Sequence, residues 1–187
     1  MDPSYQLRLA TSDDIPALHD LIALSVRGLS VGFYTPTQVE SALRHLFGPD
    51  SQLVADGTYY VIEAGEQLVA AGGWSRRRTM YGGDQAKRGE DSLLDPAVEA
   101  ARIRAFFVHP GWARRGLGRR LFEECRTAAR AAGFRRLELV ATLPGEPLYR
   151  TLDFEVAERF SVALPDGVEV PVALMTRPVE LPAPPPA

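Results

Sequence analysis

Ala101 to Phe134 (ARIRAFFVHPGWARRGLGRRLFEECRTAARAAGF) constrains the fold more than any other stretch: an apolar run, an arginine-flanked glycine turn and a helical repeat follow one another without a break. Ile103, Ala105, Phe106, Phe107 and Val108 form a short apolar run with aromatic and β-branched content, which reads as a buried strand. Pro110 cannot donate a ladder hydrogen bond, so the strand ends before it. Beyond the turn, Leu117, Leu121, Phe122, Cys125, Ala128, Ala129 and Ala132 recur at helical spacing. Arg119, Arg120, Glu123, Glu124, Arg126 and Arg130 fill the other face. Gly133 closes the helix as a left-handed cap would.

Gly116 and Gly118 therefore fall in the turn that opens a helix, where unpaired main-chain N–H groups and the positive end of the macrodipole attract an anion. Without Cβ atoms, both glycines are expected to let a phosphate approach the backbone. Arg114, Arg115, Arg119 and Arg120 concentrate positive charge here in a chain of net charge -3, the pattern of a local ligand site and not of a general basic field. A P-loop would need Gly-Lys-Ser/Thr at the helix start, and Gly118 is followed by arginines. The dinucleotide fingerprint fails at its third glycine, where Leu121 stands, although Glu138 lies about twenty residues on, where that fingerprint has its acidic residue.

Val108-His109-Pro110-Gly111-Trp112-Ala113-Arg114-Arg115-Gly116-Leu117-Gly118 resembles the acetyl-CoA-binding signature of the GNAT superfamily of N-acetyltransferases, with Ala113 where Gln or Arg is usual. Leu148-Tyr149-Arg150-Thr151-Leu152-Asp153-Phe154 resembles the family's Phe-Tyr-x-x-Leu-Gly-Phe, with Asp153 in place of glycine, and Thr142 stands where many members carry asparagine. The resemblance implies that Arg114, Arg115, Gly116, Leu117, Gly118 and Arg119 wrap the pyrophosphate of acetyl-CoA as cosubstrate. It also implies that Phe106, Phe107 and Val108 pair with the pantetheine arm, and that Tyr149 faces the leaving sulfur. The fold it implies is α/β: a GNAT-like mixed, strongly twisted central sheet of six to seven strands with helices on both faces, splayed between the strands at 101–108 and 135–141.

The rest of the chain fits one domain, 1–177, with a proline-rich, unpacked tail at 178–187. Tyr5 to Ala10 alternates as a first strand; Thr11 to Asp14 offers helix caps before Ile15, Leu18, Leu21, Ile22 and Ser25. Thr35-Pro36-Thr37 starts a second helix that ends at Gly48-Pro49. In GNAT-like folds the link between these helices lines the acceptor pocket, so Phe33 and Tyr34 become substrate candidates. Tyr59 to Ala64 and Leu68 to Trp74 form a hairpin, and Ser75 to Glu99 is a long connection without periodicity. Arg135 to Ala141 is a further strand parallel to the 101–108 strand, a short helix lies around Leu148 to Leu152, and Glu155 to Leu164 with Val168 to Met175 completes the sheet as an antiparallel pair.

The expected reaction moves the acetyl group of acetyl-CoA to a primary amine, on a small molecule or on an N-terminus or lysine, by direct attack through a tetrahedral intermediate. Oxyanion donors are expected at N–H groups near Val108. A phenol of pKa ~10 facing a thiol of ~8.5 gives up its proton uphill, so Tyr149 reads as a hydrogen-bond donor. The base is open: where many members carry a strand glutamate this chain has Arg102, leaving Glu99, His109, a water relay or an acceptor amine of low pKa. Arg102 and Arg104 share a face and read as exposed or as contacts for an acidic substrate. A catalytically inactive acyl-CoA-binding regulatory module is the alternative. Cys125, alone on an apolar helix face, excludes an internal disulfide and reads as a buried structural thiol. No metal is expected. MDPSYQLRLA has neither the basic region nor the apolar core of a signal peptide, and no apolar run approaches ~18 residues, so a cytoplasmic protein is expected. The expected partners are acetyl-CoA and an amine acceptor, with a homodimer left open, and neither nucleic acid nor membrane.

Overall fold

The computed structural model describes residues 5–180. Its strands are β1 (Tyr5–Leu9), β2 (Tyr59–Ala64), β3 (Gln67–Ser75), β4 (Ala101–Val108), β5 (Arg136–Thr142), β6 (Glu155–Ala163) and β7 (Glu169–Pro178). The helices are α1 (Ile15–Leu29), α2 (Pro36–His45), α3 (Ser51–Ala55), α4 (Leu117–Ala131) and α5 (Glu146–Arg150). One sheet runs β1-β2-β3-β4-β5-β7-β6, and β4 and β5 are its parallel pair. Helices cover both faces. On one, Leu18 and Leu21 of α1 meet Val61 and Ala71, while Val39 and Ala42 of α2 meet Val170 and Val172. On the other, Phe122, Cys125 and Ala129 of α4 pack on Leu137, Leu139 and Met175.

Two segments depart from the expectation, α3 and the C-terminal end, and a third, the 75–99 connection, meets it with added ties. α3 is too short to show a period; Asp50 forms it by accepting hydrogen bonds from the N–H groups of Gln52 and Leu53. The connection from Ser75 to Glu99 has little regular structure but is tied down along its length, by Arg77 to Asp56 (2.7 Å), Arg78 to Glu99 (2.7 Å) and Thr79 N–H to Asp91 (2.8 Å). At the other end, β7 continues through Pro178, and Val179 is buried and donates its N–H to Arg135 O. The unpacked tail expected at 178–187 is thus packed at its start, and residues 181–187 lie outside the described residues.

β4 carries the feature that shapes the molecule. Ile103 faces α4, Arg104 and Ala105 both turn to the side of α1 and α3, and Phe106 faces α4 again. This is a β-bulge: Ala105 has φ +56°, and the register against β3 shifts between Ala71 and Gly73. A bulge bends its strand and increases the local twist. β4 pairs with β5 only at Ala101↔Leu137 and Arg102↔Glu138, and beyond them its edge on that side is open. The splay expected between these strands is present.

Buried polar contacts hold the bulge. Tyr59 Oη, fully buried, donates to Ala105 O at 3.2 Å. Arg104, also buried, donates to Gly82 O at 2.6 Å and faces Asp50 Oδ2 at 2.9 Å. Arg104 is therefore neither exposed nor free for an acidic substrate, and Arg102 is held by Glu138. Asp50 also takes Lys87, so one fully buried carboxylate ties together α3, the 75–99 connection and β4. Removing one partner of such a pair strands a buried charge, typically at a cost of about 3–5 kcal/mol. Asp50→Ala should lose about that much stability in urea unfolding, with Tyr59→Phe losing only about 1 kcal/mol for its single hydrogen bond.

Candidate active site

The open edge of β4 leads directly into the glycine turn. After a 3-10 turn at Pro110–Trp112, Arg114 (φ +64°) and Gly116 (φ +80°) adopt left-handed backbone, which redirects the chain into α4. None of the main-chain N–H groups from Arg114 through Arg119 has an acceptor among the described residues; the first bond of the helix runs from Arg120 N–H to Gly116 O. These donors, at the N-terminus of a fifteen-residue helix, form a nest suited to an anion. The two glycines do different work. Gly116 supplies the left-handed turn, and the space where its Cβ would be is empty. At Gly118 a Cβ would stand 2.7 Å from Leu148 Cδ2, so the missing Cβ makes room for α5 against α4, while the main-chain N–H stays unbonded.

The arginines around the nest are uncompensated. Arg114, Arg115, Arg119 and Arg120 form no ion pair among the described residues; Arg44, Arg76, Arg88, Arg135, Arg136 and Arg177 form none either, but only at the α4 N-terminus do four such arginines fall within seven residues. Arg115 lies over the Trp112 ring at 4.8 Å and Arg119 donates to Thr151 O at 2.9 Å, which fixes the aim of two of them.

Along β4, His109 N–H bonds to Val69 O of β3, so by strand alternation Val108 N–H and Phe106 N–H point to the open edge. Val108 N–H is not a free oxyanion donor: it is accepted by Ser25 Oγ of α1 at 3.1 Å. Phe106 and Val108 turn their side chains to α4, while Phe107 packs against Phe47 on the α1 and α2 side.

Tyr149, on α5, reaches across the splay. Its ring meets Phe106 of β4 edge-on at 6.1 Å and Phe154 at 5.8 Å, and its hydroxyl has no hydrogen-bond partner among the described residues. Burial, reinforced by nearby Cys125, raises its pKa well above that of a free phenol. Cys125 is fully buried and its own pKa is raised, mainly by burial, as befits a structural thiol. Asp153 has φ +63°, the left-handed turn that its replacement of glycine required. Thr142 Oγ1 accepts Gly145 N–H at 3.2 Å and thereby helps to shape the entry to α5.

The remaining candidates separate. Glu99 accepts Asp95 N–H and is paired with Arg78, and the main-chain hydrogen bond above all holds its pKa below the usual carboxylate range; it precedes β4, at the opposite end from Val108. His109 Nδ1 accepts Gly111 N–H at 3.0 Å, so its neutral ring carries the proton on Nε2. Phe33 is 48% exposed. Tyr34 is buried, donates to Pro171 O (2.6 Å) and accepts Leu143 N–H (2.9 Å), a clamp between the α1–α2 link and the sheet whose burial pushes its pKa up to about 12. Sequence reasoning missed Ser25, read only as one position of a helical face, and Glu138, which brings a carboxylate to Arg102 from the neighbouring strand.

Residues 55–156, more than half of the chain, match the sequence profile of the acetyltransferase (GNAT) domain. No curated protein sequence matches the chain. Among solved structures, a GCN5-related N-acetyltransferase from Rhodopseudomonas palustris superposes with a TM-score of 0.67 at 18% identity, covering 95% of this chain and 98% of that one. PaiA N-acetyltransferase from Thermoplasma acidophilum in complex with coenzyme A gives 0.63 at 12% identity, over 94% and 99%. YncA of Salmonella typhimurium, solved with acetyl-CoA, gives 0.61 at 16% identity, over 98% and 99%. At these identities the likeness is one of fold.

The buried phenols set an alkaline limit on stability. An unfolded tyrosine ionises near pH ~10, while Tyr149, Tyr59 and Tyr34 hold their protons to higher pH in the folded chain. Their contribution is therefore intact below pH ~10 and is lost as the pH rises beyond it. In urea unfolding followed from pH 8 to about 11, Tyr149→Phe should show a shallower loss of stability than wild type above pH ~10, and none of the difference below.

Proposed function

The chain belongs to the GNAT acetyltransferase family, and on that premise we propose that it transfers the acetyl group of acetyl-CoA to a primary amine, on a small molecule or on an N-terminus or lysine. The observation that carries this reading is the run of unbonded amides from Arg114 through Arg119, at the end of a strand whose edge is open. Acetyl-CoA would supply the activated thioester. The residues present fit it: Arg114, Arg115, Gly116, Leu117, Gly118 and Arg119 hold the diphosphate through main-chain N–H groups at a helix N-terminus, with arginine charge around them. Phe106, Phe107 and Val108 present the strand edge along which the pantetheine arm lies, and Tyr149 closes the slot from the other side.

Tyr149 acts as a hydrogen-bond donor to the leaving sulfur. With a pKa raised by burial it is a weaker acid than a free phenol, and full transfer to a thiolate of ~8.5 is further uphill than the roughly 2 kcal/mol separating the unperturbed groups. The acceptor arrives as a neutral amine. Glu99 is tied up at the far end of β4, His109 Nδ1 is occupied, and Glu138 is neutralised by Arg102. A lysine-like amine of pKa ~10.4 costs about 4.6 kcal/mol to deprotonate at pH 7, and an α-amine near 8 about 1.4, so an amine of low pKa suits the site. Position 102 also favours the second reading, a binding module without turnover, since a cation stands where many relatives carry a carboxylate.

Coenzyme A release across a panel of amines separates the two. Turnover is expected, with kcat/KM rising to a plateau at the pKa of each amine used and not at a pKa common to all. Tyr149→Phe should lower kcat about 10- to 100-fold and leave the Kd for coenzyme A unchanged. Tight coenzyme A binding with no turnover on any amine would establish the module instead.

A further inference from the structure

Ser25 is a polar residue in an apolar setting. It lies on the inner face of α1 between Ile22 and Val26, is 5% exposed, and belongs to none of the contacts through which the family signature was read. Its Oγ accepts the N–H of Val108, an amide that points to the open edge of β4. An atom that bonds such an amide stands in the slot itself. The Ser25 hydroxyl meanwhile donates to nothing among the described residues; it does not make the backward bond to Leu21 O that a helical serine commonly forms.

The position of α1 is set by a close contact one turn further on. A Cβ at Gly28 would stand 2.3 Å from Pro110 Cγ, so only glycine lets the helix approach the end of β4 this closely. Gly28 against Pro110 and Ser25 against Val108 are two contacts of one helical stripe along the strand end.

Resting on the acetyl-CoA reading above, we propose that Ser25 is a cosubstrate-binding residue whose hydroxyl donates a hydrogen bond to a carbonyl oxygen of the acylated pantetheine arm. Two arrangements compete. If a carbonyl of the arm took Val108 N–H directly, the existing bond would be broken and Ser25 Oγ left buried without it, an exchange with no net gain. If the Ser25–Val108 bond is kept, the free hydroxyl hydrogen is satisfied and no protein bond is lost. Accepting from Val108 also polarises the hydroxyl and strengthens it as a donor. The strand edge is thus extended by one side-chain hydroxyl, and the arm is read by Ser25 where a bare amide would otherwise do so.

Calorimetric titration of wild type, Ser25→Ala and Ser25→Thr with coenzyme A, acetyl-CoA and 3′-phosphoadenosine 5′-diphosphate tests this. The last ligand carries the diphosphate and no arm. Ser25→Ala should bind the arm-bearing ligands about tenfold more weakly and the nucleotide as wild type does, and Ser25→Thr, which keeps the hydroxyl, should recover most of the loss. Equal loss for both coenzyme A forms assigns the bond to an amide carbonyl; loss confined to acetyl-CoA assigns it to the thioester. Unchanged or tighter binding of both coenzyme A and acetyl-CoA by Ser25→Ala would overturn the proposal, because the hydroxyl would then only plug Val108. An equal loss for the nucleotide would overturn it too, by making the effect structural. A wild type that binds no coenzyme A would refute the acetyl-CoA reading itself, a failure separate from any difference between variants.

Discussion

The molecule depends on a strand that is bent in its middle and held bent. Ala105 in left-handed backbone is an unfavourable conformation for a residue with a Cβ, costing on the order of 1–3 kcal/mol, and it persists because buried groups on both sides over-determine it. Tyr59 fixes the carbonyl of Ala105, and Asp50 with Gly82 O fixes the side chain of Arg104. Beyond the bend β4 no longer follows β5, and the sheet acquires an unpaired internal edge. In an ordinary sheet an unpaired interior edge would be a defect. Here it is covered on both faces by helices, so it forms a slot and not a site for aggregation.

The slot ends where the chain concentrates its unbalanced positive charge. The protein carries a net charge of -3, yet the arginines nearest the α4 N-terminus lack carboxylate partners among the described residues. Helix dipole, unbonded amides and arginines all favour the same occupant, an anion, and each would oppose a cation. Because these arginines are exposed, their contribution is screened by salt; the main-chain donors are the steadier part of the attraction. Holding an anion there aims whatever extends from it along the open edge of β4 and toward Tyr149.

The sequence was most legible where one residue type has one physical use. Pro110, the periodic face of α4, the Gly65-Glu66 hairpin and the left-handed positions Gly133 and Asp153 all stand as their chemistry suggests. What could not be read was tertiary. Gly118 has the spacing of a phosphate-facing glycine, and the space of its missing Cβ is also taken by Leu148, thirty residues away in the chain. Arg104 alternates as a surface residue would, and only folding reveals Asp50 beneath it. Tyr34 sits in a link expected to meet substrate, yet its hydroxyl is used to join that link to the sheet. Ser25 occupies a helical core position that periodicity alone makes look apolar. Its value arises from the approach of α1 to an edge that no local pattern foretells.

Proton accounting gives these placements a common sense. Acyl transfer to an amine must dispose of the amine's proton and stabilise a departing thiolate. The phenol at the slot is buried among Phe106 and Phe154, which raises its pKa and makes it poor at giving up a proton, yet burial is also what strengthens a hydrogen bond from it. Glutamates near the strand are spent on arginines. On the proposed reading, a site so arranged would bind and orient through fixed donors and leave net proton movement to water and to the acidity of the acceptor itself. That division would favour amines already substantially neutral at working pH, with the geometry of the edge, bent at Ala105, as the protein's contribution to orienting them.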